Sequence, residues 1–148
     1  MFENDYIMRM ILQLTRALRK SLNRQFPTRE SELDDIEGRV AEAAGLDPRL
    51  MFKLEPESLV SVLELGNFDA ALAGYVVRSL YYEASLLEED GQLARADLRY
   101  RQGDAIADRF GIPVTKVDLT PATLEEFLDE HEESDRQDER DARGVALE

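Results

Sequence analysis

The chain has no cysteine and no tryptophan, and only one histidine and three lysines among its 148 residues. Without cysteine there is no disulfide framework, no thiolate nucleophile and no cysteine-based metal site. That composition suits a reducing cytoplasm, the expected location. A single imidazole excludes histidine-rich metal centres. Long apolar runs are missing as well. Met10-Ile11-Leu12 is the longest in the N-terminal helix; it is too short for the apolar core of a secretory leader, and arginines interrupt the segment. No stretch approaches the roughly 20 apolar residues of a membrane span.

Recognisable catalytic patterns are equally scarce. The eight glycines stand singly, so no GxxxxGK or GxGxxG loop brings backbone amides to a phosphate. There is no GxSxG elbow, and the lone His131 stands in an acidic stretch. His131-Glu132 is half of a zinc HExxH pattern, but Asp135 occupies the second ligand position. A di-iron ExxH pair would need an acid at position 128, where Leu128 stands. Glu88-Glu89-Asp90-Gly91 hints at calcium, yet the first loop position falls on Leu86. The expectation is no catalytic residue, no metal and no cofactor.

Charge is abundant and uneven. The chain carries 18 basic and 32 acidic side chains, a net of −14. This argues against nucleic acid as a partner, since phosphate binding needs basic patches. It favours solubility and cationic partners. Residues 1–29 run the other way, with six basic against two acidic groups, a net of +4. The remainder holds 12 basic and 30 acidic groups, a net of −18.

Periodicity predicts helices almost throughout. The first is expected from Asp5, as its cap, to about Gln25, before Pro27. Ile7, Ile11, Leu14, Leu18 and Leu22 fall on one stripe of it. Arg9, Arg16, Lys20 and Arg24 fall on the opposite stripe. A second helix is expected from about Glu32 to Ala44, capped by Ser31 and stopped by Gly45. Asp47-Pro48 opens a short turn of helix. Pro56 opens another, with Leu59, Val62, Leu63 and Leu65 apolar and Gly66 as its stop. From Ala70 to Tyr82 the chain is apolar nearly all round, which marks a buried central helix running to about Asp90. Gly74 within it suggests close approach by another helix. Asp90-Gly91 is a turn. A further helix spans Leu93 to Phe110, with Asp97 and Arg101 paired on its outer face. Residues 112–119 form an extended loop, having no partner strand. Thr120-Pro121 starts a last helix with Leu124, Phe127 and Leu128 inward. An acidic, mobile tail follows at residues 131–148.

Two constellations stand out as candidate sites. Tyr75, Arg78 and Tyr82 sit at i, i+3 and i+7 on the central helix. With Arg99 and Tyr100 from the next helix they form a candidate binding groove. The plainer alternative has the tyrosines in the core and Arg78 paired with a carboxylate. The second constellation is the first helix. Its apolar stripe packs on the core, or else the helix serves a partner, a second copy of the chain or a membrane surface.

Residues 77–104 make a hairpin in which Ala84, Ala96, Tyr100 and Gly103 fall where a tetratricopeptide unit has its small and aromatic packing positions. The hairpin resembles one such repeat. The opening Glu3-Asn4-Asp5-Tyr6-Ile7-Met8-Arg9-Met10, followed by Leu14 and Leu18, resembles that of a family of small, uncharacterised bacterial all-helical proteins. That resemblance implies an all-helical fold and supplies no site residues. The expected architecture is one all-α domain of about six helices over residues 1–130. The expected function is a non-enzymatic module that binds a protein or peptide. The alternatives are a membrane-surface protein docking through its basic helix, and an enzyme whose site the sequence does not display.

Overall fold

The computed structural model describes the backbone of residues 2–131 and the side chains of residues 5–131. It is all helical, and no strand occurs among the described residues. The elements are α1 (Phe2–Leu22), α2 (Arg29–Ala44), α3 (Pro48–Met51), α4 (Pro56–Leu65), a 3-10 turn (Ala70–Leu72), α5 (Ala73–Glu89) and α6 (Leu93–Phe110). A last helix, α7, spans 121–131. Residues 132–148, most of the expected acidic tail, lie outside the described residues. No helix among the described residues is long and apolar enough to cross a membrane.

The centre of the fold is α5. Twelve of its seventeen residues are buried, as a helix apolar on every side requires. It packs most extensively against α6, its antiparallel partner across Asp90-Gly91. α2 and α1 cover another side of α5, and α4 lies on α6. The core runs continuously from Met10, Leu14 and Leu18 through Ile36 and Val40 to Leu80, Leu87 and Ile106. Each such side chain contributes on the order of 1.5–3 kcal/mol by leaving water.

The chain ends its helices in ways that move several boundaries. α1 begins at Phe2, so Asp5 lies inside the helix. It also stops early, at Leu22. Arg24 takes the left-handed conformation, φ 55°. The amide of Gln25 then bonds the Lys20 carbonyl at 3.0 Å, and that of Arg24 bonds Ser21 at 3.0 Å. This pair of bonds closes a Schellman motif with arginine where glycine is usual. α2 starts earlier than expected, at Arg29, because Thr28 is its N-cap and Ser31 the third helical residue. Thr28 Oγ1 accepts from the Ser31 amide at 3.0 Å. Ser31 Oγ accepts from the Thr28 amide at 3.3 Å, completing a capping box. α4 ends through Asn67, φ 55°, while Gly66 keeps φ −87°. Leu65, although apolar, is 85% exposed.

Glycine has different work at two positions of the hairpin. A Cβ on Gly103 would lie 2.6 Å from the Tyr81 ring, so glycine lets that ring lie against α6. At Gly74 no other helix among the described residues comes within 4 Å of an added Cβ. The group nearest an added Cβ is Arg78 Nη1 of the same helix, at 3.1 Å. Asp97 and Arg101 pair at 2.8 Å, as their spacing predicts.

Candidate functional site

Beneath the surface lies a charged centre built on the α5–α6 hairpin. Glu83 and Arg99 stand eight residues either side of Gly91, so an antiparallel pair of helices sets them face to face. Both are buried, Glu83 fully and Arg99 at 3% exposure. Arg99 Nε donates to Glu83 Oε1 at 3.1 Å. Its Nη2 donates to Glu37 Oε2 of α2 at 2.9 Å. Its Nη1 donates to the Phe52 carbonyl at 2.9 Å, and the guanidinium lies over the Phe52 ring, 4.4 Å from its centre. Gln102, also fully buried, donates from Nε2 to the carbonyls of Met51 and Leu54. One arginine and one glutamine therefore hold the irregular segment after α3 onto the hairpin.

Not every atom there is satisfied. Glu83 Oε2 and Gln102 Oε1 are buried without a hydrogen-bond partner. Burial pushes the Glu83 carboxyl up to about 8, against the pull of Arg99 and with help from nearby Glu37. The upward shift favours the protonated form of Glu83, which lessens the uncompensated charge buried there. A depression of about 550 Å³ opens over Glu37, Arg95 and Arg99, but Glu83 does not line it. The cluster acts as a clamp among α2, α3, α5 and α6.

A second polar cluster joins α1, α2 and α5. Ser21, 4% exposed, donates its hydroxyl to Glu32 Oε2. The Ser21 oxygen lies 2.6 Å from the Tyr82 hydroxyl. A serine has one proton to give, so the tyrosine is the donor in that contact. Burial raises the Tyr82 phenol, opposed by the Ser21 bond. Arg29 binds Glu32 and Glu89 at 2.8 Å and Asp90 at 3.3 Å. Ser21, Arg29, Glu32, Tyr82 and Glu89 border a depression of about 540 Å³ that also touches Arg24 and Phe26.

The five residues of the expected groove are distributed over four sets of contacts. Tyr75 and Arg78 meet at Phe127 of α7. The Tyr75 ring is 5.2 Å from it, edge-on, and the Arg78 guanidinium sits 3.8 Å above its centre. Arg78 has this ring and the Gly74 carbonyl as partners rather than a carboxylate. His131 closes the stack, 4.0 Å from Phe127, with Nδ1 2.9 Å from the Phe127 carbonyl. Tyr82 belongs to the Ser21 cluster and Arg99 to the buried centre. Tyr100 leans on Tyr81 at 6.2 Å and lies under Lys116. The reason is α7. Its Leu124 and Leu128 need burial and reach 0% and 1% exposure, so the helix covers the stripe that was expected to be open.

α1 presents two contrasting sides. Leu14 and Leu18 are each 1% exposed, and Ile7, Ile11 and Leu22 pack against the core more loosely. The buried side is centred nearer Met10, Ala17 and Ser21 than the expected stripe. Outside, Arg9, Arg16 and Lys20 are exposed along one row, and Arg24 is exposed just beyond the helix end. Lys20 rests on the Phe26 ring at 4.5 Å and Arg9 on Tyr6 at 5.7 Å.

Comparison with known proteins adds no relative. No family model matches the chain, no curated protein is similar to it, and no solved structure resembles it. Among the described residues, no cluster of three or more histidine, aspartate or glutamate side chains is placed to hold a metal ion.

Glu83, Glu37, Gln102, Ser21 and Glu32 were not legible as a group from the chain alone. One signal pointed to Glu83. A carboxylate in the middle of an otherwise apolar helix needs a cation opposite it. Reflecting the hairpin about Gly91 finds that cation at Arg99.

Proposed function

We propose that this chain is a non-enzymatic helical module that binds a protein or peptide, with the outward face of α1 as its docking surface. One observation carries the reading. Eight of the twelve described arginines hold a carboxylate within ion-pair distance. Three of the four that do not are Arg9, Arg16 and Arg24, all on or beside α1. The fourth, Arg78, is occupied by the Phe127 ring. In a chain with nearly twice as many acids as bases, a row of cations left without carboxylates is available to another molecule. Burial of Leu14 and Leu18 within the chain supports α1 as a fixed platform that shows mainly its polar side.

A photo-reactive phenylalanine analogue at position 16 tests this. It should cross-link one cellular protein that the same analogue at exposed position 97, on α6, does not capture. Identical products from both positions, or none from position 16, would overturn the reading.

A further inference from the structure

We infer that the α1 face recognises a carboxylate-rich, amphipathic polypeptide segment. The inference rests on the docking face argued above and names its partner's chemistry. Arg9, Arg16 and Lys20 lie seven and four residues apart, so they share one side of the helix over about 16 Å at 1.5 Å per residue. Arg24 extends the row past the helix end. Guanidinium groups suit carboxylates because their paired donors match both oxygens at once. Met8 and Leu12 lie one row over and are half-buried. They offer an apolar edge, and methionine adapts its shape to varied partners. A segment with acidic residues along one side and an apolar anchor beside them matches this surface.

The width of the row selects against larger anions. Residues 30–148 carry a net charge of −18. A broad phospholipid surface or nucleic-acid duplex is repelled by any acidic groups that come within the Debye length of it, about 8 Å at physiological salt. A single polypeptide segment meets the row alone. Charge complementarity at short range therefore favours a narrow partner over a broad one.

The test uses the full chain and three fluorescent or light-scattering probes. The first is an amphipathic peptide of about 18 residues, long enough to span the row, made of glutamate, leucine and alanine. The others are an oligothymidylate of similar length and phosphatidylserine vesicles. The acidic peptide should bind, more weakly as salt rises. Arg9→Glu, Arg16→Glu and Lys20→Glu together should weaken it by at least about tenfold, a change of about 1.4 kcal/mol. Circular dichroism identical to that of the unaltered chain excludes unfolding as the cause. Tighter binding of the oligonucleotide or the vesicles overturns the inference. So does peptide binding that the triple variant retains, or no peptide binding at all. If the peptide fails while position 16 still cross-links a cellular partner, the docking reading stands and the carboxylate assignment falls.

Discussion

Arg99 and Arg16 are both helical arginines, and they live in opposite worlds. Arg99 is buried with Glu83, Glu37, the Phe52 carbonyl and the Phe52 ring around it. Arg16 is exposed and holds no carboxylate among the described residues. The first has its hydrogen-bonding directions committed to the fold, so it has little left to offer a partner. The second contributes little to the fold and keeps its whole capacity for recognition. A cation's usefulness to another molecule is in this chain roughly the inverse of its usefulness to the core.

The largest expected effect is on the buried side. Arg99→Ala leaves the Phe52 carbonyl without its donor, leaves Glu37 with Arg95 alone, and removes the one cation paired with Glu83 among the described residues. Loss of one partner from a buried pair costs about 3–5 kcal/mol, to be read from urea denaturation. A loss under about 1 kcal/mol would mean that the centre behaves like a surface pair and would erase the contrast.

The next effect is a pH dependence. The Glu83 carboxyl is raised from 4.5 to about 8 in the folded chain. A raised acid binds its proton more tightly when folded, so its contribution is complete below about pH 4.5 and is lost as the pH rises toward about 8. Within that window the slope is at most about 1.4 kcal/mol per pH unit. Glu83→Gln, which keeps the shape and cannot ionise, should lack this dependence, so the stability difference between it and the unaltered chain should change steadily across that window. Parallel stability curves for the two proteins from pH 5 to pH 8 would show that Glu83 stays ionised throughout.

The smallest effect belongs to α1. Replacing Arg9, Arg16 and Lys20 by alanine should shift stability by no more than about 0.5 kcal/mol per site. Most of the change should come from Lys20, whose exposed contact with the Phe26 ring is worth about 0.5 kcal/mol. A calorimetric melting temperature lowered as far as by Arg99→Ala would mean that the row serves the fold.

Much of the architecture was readable because it rests on local rules. Pro48 and Gly45 mark their helix ends as expected, and α6 spans Leu93–Phe110 as predicted. The errors fall where a residue departs from its usual habit. Arg24 and Asn67 take left-handed backbone that glycine was expected to take or that proline alone was expected to enforce. The candidate groove was misjudged for a different reason. Nothing near Tyr75 or Arg78 in the chain announces that Phe127, some 50 residues later, will cover them. Such long-range placement follows from the need of α7 to bury Leu124 and Leu128, and periodicity does not encode where that burial occurs.

The mirror relation between Glu83 and Arg99 also governs which changes of length the chain tolerates. Surface turns usually accept an extra residue. One residue added between Glu89 and Leu93 would shift every pairing across the hairpin, turning Arg99 about 100° away from its carboxylate and moving Gly103 out from under the Tyr81 ring. A connection that looks disposable on the outside therefore acts as a ruler for the interior, whereas the loop at 112–119 has no comparable pair to keep in step. Drift in chain length should accumulate in the second and be purged from the first.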